Sequence, residues 1–485
     1  MNRQIRLLGI GMIGLFTLLF AQLNYLQVVR ADKLNHNPLN NRIAAAKFVT
    51  KRGDLLTADG VMLAHSNPSS DQYKWQRVYP QKDLFADVTG FFSFTYGEDG
   101  AEKSFDADLT GANAPFRLPR SLKDLTVQQD KSQSVTLTLS AKLQQVARSA
   151  LGTRKGAVVA LNPSTGAVLA LWSWPSYDPN PLAAHDQLTV RDAWQADNTD
   201  PNQPFLPRAY RQRYFPGSTF KMITSSAVFD HSPDLATKPY PVLSALPLPQ
   251  TNGQVLSNFA GERCGGVLAD LFRASCNTGF AQIGLDLGGA NLAAEANAFG
   301  FNKVPPLDLP ASAKAFFPDA ASFQHDQPGL AKSAIGQQDV SSTPLEMALV
   351  ASAFANNGVI MQPHVLQDVR DSEGKVVRTY QPSQWIQATS AQTAAAMTAL
   401  MISVVQGGTG TAAQVPGVQV AGKTGTAQTG LNTVHTWFVA FAPASKPTIA
   451  VAVIVESQPA VNEATGGAIA APIAKAVIQS ALAGP

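Results

Sequence analysis

Hydrophobic positions fall into three textures along the chain. Residues 7–29 form an apolar run without a charge, preceded by Arg3 and Arg6, and at 1.5 Å per residue the run matches the roughly 30 Å hydrocarbon layer of a bilayer. A cleaved signal peptide would need a small-x-small site closing the run. Gln22, Asn24 and Gln27 stand there instead, so the pattern predicts an uncleaved anchor with a cytoplasmic amino terminus. From residue 31 to 133 short apolar runs alternate with turns, and residues 52–64 read as two short strands joined at Asp59-Gly60. The Arg52-Gly53-Asp54 triplet reads as the entry to that hairpin rather than an adhesion motif. The acidic stretches 96–102 and 105–111 read only as surface.

Near Ser134 the pattern becomes regular. Residues 135–139 alternate as a strand, 141–151 have helical period, and 156–161 and 167–172 form strand, turn and strand. Residues 174–213, dense in Pro, Asn and Asp, predict loop. Helical texture follows at 218–228, 269–280, 291–300 and 344–356, then strands at 437–441 and 448–455 and a closing helix at 470–483. Strands at both ends with helices between predict an α+β domain in which one antiparallel sheet, assembled from distant segments, is covered by helices. The expected division is 1–30 anchor, 31–133 small mixed domain and 134–485 larger domain.

Composition narrows the chemistry. The 485 residues are 45% hydrophobic and 15% charged, with a net charge of +3, which describes a folded chain and gives no basic cluster for nucleic acid. Seven scattered histidines and two cysteines provide no ligand spacing for a metal, and no cofactor is predicted.

Ser218 precedes Lys221 by three places, just after the breakers Pro216 and Gly217, so on a helix the two share one face. A serine hydroxyl needs a base to become a nucleophile, and a lysine serves only when neutral. Bringing its pKa from about 10.4 to about 7 takes roughly 4.6 kcal/mol of environment, so burial and a neighbouring cation are required. Ser-x-x-Lys alone is common by chance. Ser275-Cys276-Asn277 and Lys423-Thr424-Gly425-Thr426 follow it in order, and that set marks penicillin-interacting serine enzymes.

With these motifs, and with Arg52-Gly53-Asp54, residues 156–161, Gly336-Gln337 and Trp437-Phe438 at matching positions, the chain resembles the class B penicillin-binding proteins over nearly its whole length. The free middle position of Ser-x-Asn favours a transpeptidase over a class A β-lactamase, and residues 31–133 cannot hold a glycosyltransferase domain. Where relatives often read Asn-Arg before the nucleophile, this chain has Pro207-Arg208. The resemblance implies one anchor, a non-catalytic pedestal and a penicillin-binding/β-lactamase-like DD-transpeptidase domain outside the cell membrane, acting on peptidoglycan stem peptides and acylated by β-lactams. It implies work in cell wall synthesis and division beside a glycan polymerase or divisome proteins.

The implied roles are Ser218 as nucleophile, Lys221 as general base, Ser275 as proton relay, Asn277 on substrate and Lys221, and Lys423 as a source of positive field. Thr424 and Thr426 would hold the substrate carboxylate, and Gly425 would let the substrate lie on the strand. Backbone N–H groups of Ser218 and Thr426 would form the oxyanion hole. Cys264 and Cys276, in a domain expected outside the membrane, are expected to pair behind the motif.

Other readings are weaker. Residues 417–424 match Gly-x4-Gly-Lys-Ser/Thr, and residues 451–455 end at an acidic Glu456. A phosphate loop needs a helix after Lys-Thr, whereas residues 418–420 read as strand and 425–430 cannot start a helix. An idle scaffold conflicts with the intact motif set. No glutamate has Asn four places on, so the deacylating base of a class A β-lactamase is missing; a carboxypeptidase or a class D-like β-lactamase stays open.

Overall fold

Residues 2–30, 47–114, 131–430, 432–459 and 464–484 are described by the computed structural model; the junction expected at residue 31 lies outside them. The chain divides into two units, residues 1–51 with 67–76 and residues 52–66 with 77–485. In the first unit, helix α1 (Asn2–Asn24) continues through a π-helical turn at Tyr25–Val29, and its apolar side chains stand exposed. It is long and apolar enough to cross a membrane. A helix satisfies its own backbone, which lipid requires of any spanning segment.

The second unit begins with β1 (Leu55–Leu56) and β2 (Met62–Pro68, of which residues 62–66 belong to it), then α2 (Gly100–Ser104), β3 (Ser134–Leu137) and α3 (Ala141–Leu151). Next come β4 (Gly156–Leu161), β5 (Val168–Trp174), α4 (Gln187–Thr199), α5 (Lys221–His231), β6 (Ala245–Pro247) and β7 (Val255–Ser257). The principal elements after these are α6 (Leu268–Ala274), α7 (Asn277–Ala298), α8 (Pro344–Ala355), β8 (Leu366–Arg370), α9 (Ala391–Gly407), β9 (Ala421–Gln428), β10 (Thr433–Ala442), β11 (Ile449–Pro459) and α10 (Ala471–Leu482).

The main sheet runs β9-β10-β11-β4-β5 with every pair antiparallel. β4 is buried at all six positions and β11 at its first seven, as a central strand covered on both faces must be. The sheet packs against α3, α8 and α10. The expected α+β domain with an antiparallel sheet from distant segments is the one observed.

Asp59-Gly60 closes the β1–β2 hairpin, with Gly60 at φ 79° and Leu55 opposite Ala64. Asp59 also accepts the N–H of Ala141 at 3.0 Å, so the turn caps α3. Ser134, where the pattern became regular, is not where the sheets part. β3 pairs in parallel with β1 and antiparallel with β8, so one sheet takes strands from both sides of Ser134; alternation shows a strand without saying which sheet it joins.

Two more expectations change. The predicted loop 174–213 contains α4, whose first N–H groups are capped by Asp186. Its one fully buried residue is Val190, and it is held by aromatic contacts, with Trp194 stacked on Tyr96 at 4.0 Å and 5.1 Å from Phe205. The acidic stretches read as surface supply buried ion pairs. Glu102 on α2 is buried between Arg77 (2.6 Å) and Arg52 (2.9 Å), takes the Tyr79 hydroxyl at 3.1 Å, and lies beside Asp106, which pairs with Arg52 at 2.5 Å. The adhesion reading of residues 52–54 fails accordingly, because Arg52 is 1% exposed and a side chain at Gly53 would sit 2.0 Å from the Gln133 carbonyl.

Candidate active site

The segment before the nucleophile is fixed from several sides. Trp437 donates to Phe215 O at 3.0 Å, Gly217 N–H to Gly336 O at 2.9 Å, and Thr219 Oγ1 to Pro216 O at 2.7 Å. Gly217–Phe220 forms a 3-10 turn, so α5 begins at Lys221 rather than Ser218. The turn places Ser218 half-buried at its start and Lys221 fully buried at its end. Tyr214 donates to Glu456 at 2.6 Å and the buried Arg208 pairs with the same carboxylate at 2.9 Å. Glu456, read from sequence as the acid of a phosphate-loop fold, thus braces the nucleophile's approach.

Ser275 interrupts the helical run expected over 269–280. α6 stops at Ala274, Ser275 adopts a left-handed conformation (φ 58°, ψ 39°), and α7 starts at Asn277. That conformation costs a non-glycine residue on the order of 1–3 kcal/mol, and it aims the serine at both lysines. Lys221 Nζ donates to Ser275 O at 2.6 Å and to Asn277 Oδ1 at 2.7 Å, with Ser275 Oγ 3.4 Å away. Lys423 Nζ donates to Ser275 Oγ at 2.8 Å and to Thr424 O at 3.2 Å.

No carboxylate contacts either ammonium group among the described residues. The rings of Phe280 and Phe272 lie 5.4 and 5.5 Å from the two nitrogens. Burial, and after it the charge of Lys423, holds Lys221 well below the ordinary lysine range. Burial pushes Lys423 down to about 7. A neutral amine has two N–H donors and one lone pair. With both donors spent on Ser275 O and Asn277 Oδ1, the lone pair of Lys221 is left for a hydroxyl. Ser218 Oγ makes no hydrogen bond among the described residues, which is usual before substrate draws a nucleophile and its base together.

β9 carries Lys423, Thr424, Gly425 and Thr426 as a strand at the edge of the sheet. It starts at Ala421, not at Val418, and a strand through Lys423-Thr424 rules out a phosphate loop. Alternation gives Lys423 and Gly425 one face and Thr424 and Thr426 the other. Thr424 shares a hydrogen bond of 2.6 Å with Thr409, and Thr426 Oγ1 accepts from Gly466 N at 3.3 Å. A side chain at Gly425 would meet Thr219 at 2.9 Å and Pro216 O at 3.0 Å, so its absence admits the nucleophile turn beside the strand.

Cys264 and Cys276 form a disulfide with Cα atoms 5.8 Å apart, and Cys276 is 1% exposed. The structure brings Lys221, Ser275, Asn277 and Lys423 into one hydrogen-bonded cluster, with Ser218 on the turn that leads into Lys221 and Thr424 and Thr426 on the strand that carries Lys423. Sequence reasoning missed Thr409 and the two aromatic rings, whose places arise only from contacts across the fold.

Residues 156–479 match the family model of the penicillin-binding protein transpeptidase domain, and residues 52–135 that of the penicillin-binding protein A dimerisation domain. The chain is 39% identical to the peptidoglycan D,D-transpeptidase PbpA of Mycolicibacterium smegmatis, over 99% of each chain. It is 37% identical to PbpA of Mycobacterium tuberculosis over 100% of each. Its fold is similar to that of the penicillin G acyl-enzyme complex of M. tuberculosis penicillin-binding protein A, with a TM-score of 0.81 and 37% identity over 89% of this chain and 100% of that one.

Proposed function

Because the chain belongs to the penicillin-binding protein transpeptidases, we propose that it is a peptidoglycan D,D-transpeptidase that cross-links stem peptides through an acyl ester on Ser218. The single observation that carries this reading is the state of Lys221, buried without a carboxylate and beside a second lysine, with its donors spent on Ser275 and Asn277. Such an amine accepts the Ser218 proton as Oγ attacks the carbonyl of the penultimate D-alanine. The C–N bond to the terminal D-alanine then breaks, and its nitrogen takes that proton back through Ser275, whose hydroxyl lies between the two lysine nitrogens.

Backbone N–H groups of Ser218 and Thr426 stabilise the oxyanion, and Thr424 and Thr426 hold the substrate carboxylate with Lys423 as the nearby cation. The amine of a second stem peptide attacks the ester, gives its proton to Lys221, and restores Ser218. An edge strand suits a peptide substrate, because its outer hydrogen-bonding groups can pair with an extended chain.

The domain order of this reading is anchor 1–30, pedestal 31–133 and transpeptidase 134–485, with α1 crossing the membrane, its amino terminus cytoplasmic and the catalytic domain outside. β-Lactams inhibit by forming the same ester, and the enzyme works in wall synthesis during division with a glycan polymerase. The test is gel detection of a fluorescent penicillin. One stable adduct per chain is expected, lost completely in Ser218→Ala; labelling that survives the substitution contradicts the reading.

A further inference from the structure

Helix α7 begins inside the Ser-x-Asn motif, and its own first residues cannot cap it. The N-cap is Cys276, which makes no side-chain cap hydrogen bond and whose sulfur is committed to the disulfide. The early N–H groups of a helix need acceptors, and here one acceptor comes from elsewhere. Asn258 Oδ1 accepts the Thr278 N–H at 2.9 Å. Asn258 is 6% exposed, and its amide nitrogen donates to Leu243 O at 2.8 Å and Glu262 O at 2.9 Å, with Thr278 Oγ1 at 3.3 Å. One buried amide thus ties α7 to the segment between β7 and the disulfide.

The neighbouring residue completes the device. Ser257 O accepts from Asn277 Nδ2 at 3.2 Å. An asparagine amide can present either end to a partner, and the end it presents is set by its other contacts. With Nδ2 held by the Ser257 carbonyl, Oδ1 faces Lys221 Nζ. Were the amide reversed, an N–H donor would face Lys221, compete for its lone pair and oppose its work as a base.

We propose that Asn258 is a positioning residue for the acylation step: by anchoring Ser257 and capping α7 it fixes the amide of Asn277 with its oxygen toward Lys221. The inference rests on the reading of Lys221 as base and Asn277 as its partner. Asn258 touches neither, so its effect must pass through Asn277. A displacement of about 1 Å at a catalytic group costs on the order of 100-fold in rate, which sets the scale of the effect.

The experiment is a double-mutant cycle on the full chain, reading the acylation rate by a fluorescent penicillin at saturating and subsaturating concentrations. Asn258→Ala is expected to slow the saturated rate by about 10- to 100-fold with little change in half-saturation. In an Asn277→Ala background the same substitution is expected to add less than about threefold, because the amide it orients is gone. Asn258→Ser, which keeps a hydroxyl, replaces alanine if the latter does not fold. Equal losses in both backgrounds, or an unchanged rate in the single variant, overturn the proposal. A slow Asn277→Ala beside a normal Asn258→Ala overturns this inference alone, whereas a normal Asn277→Ala removes the reading of the site beneath it.

Discussion

Two buried charge clusters in this chain obey the same electrostatics and reach opposite ends. Near the amino-terminal strands, Arg52 and Arg77 enclose Glu102. Burial alone would raise the pKa of that carboxyl, yet Arg77 and Arg52 hold it below the ordinary glutamate range. In the cleft, Lys221 and Lys423 are buried together with hydroxyls, carbonyls and aromatic rings, and burial drives both down. Supplying the opposite charge leaves groups ionised and structural, whereas withholding it brings a lysine near neutrality, where it can exchange protons.

The largest test of that contrast is Lys221→Arg. A guanidinium cannot deprotonate, so acylation should fall by about 100- to 10,000-fold, the usual worth of a general base, with thermal unfolding showing whether the fold survives. Next is Glu102→Ala, which removes the buried carboxylate that Arg52 and Arg77 share and should cost about 3–5 kcal/mol. Denaturant unfolding measures that loss, while the folded fraction should still acylate at the wild-type rate.

The pH dependence of stability separates the clusters too. Glu102 has its folded value below 4.5, so its contribution is present above 4.5 and lost as pH falls through the folded value. Lys423 titrates at about 7 when folded and near 10.5 when unfolded. The unfolded chain binds more protons between those values, so stability should rise with pH across that window. A smaller effect comes from making the cleft resemble the first cluster. Asn277→Asp places a carboxylate at Lys221, and the acid limb of the acylation profile should move up by about 1–3 pH units.

Much of this contrast was legible in the sequence on the cleft side only. Ser218 and Lys221 at three-residue spacing, with Ser275, Asn277 and Lys423 downstream, sufficed because the chemistry fixes residue types and order. The regular helix Ala141–Leu151 was legible from its period, and the strands Gly156–Leu161 and Val168–Trp174 from apolar runs on either side of a turn.

Glu102 was read as surface because its neutralising partners lie 50 and 25 residues away; a local acidic texture cannot reveal them. Helix α4 escaped because the Pro-, Asn- and Asp-rich segments on either side of it set the texture of the stretch and because aromatic contacts with Tyr96 and Phe205 sustain it. The packing at Gly425 was not legible, because the sequence says that a side chain is absent and not that Thr219 and Pro216 come close there. Asn258 carried no signal, since its role exists only through Thr278 and the carbonyls of Leu243 and Glu262.

The most direct test of the central claim is the rate of acylation by penicillin as a function of pH in the wild-type chain. With a neutral Lys221 as base, the rate should fall on acidification with an apparent pKa well below the ordinary lysine value of 10.5. A rate that titrates near 10, or one independent of pH down to the carboxylate range, would contradict the account.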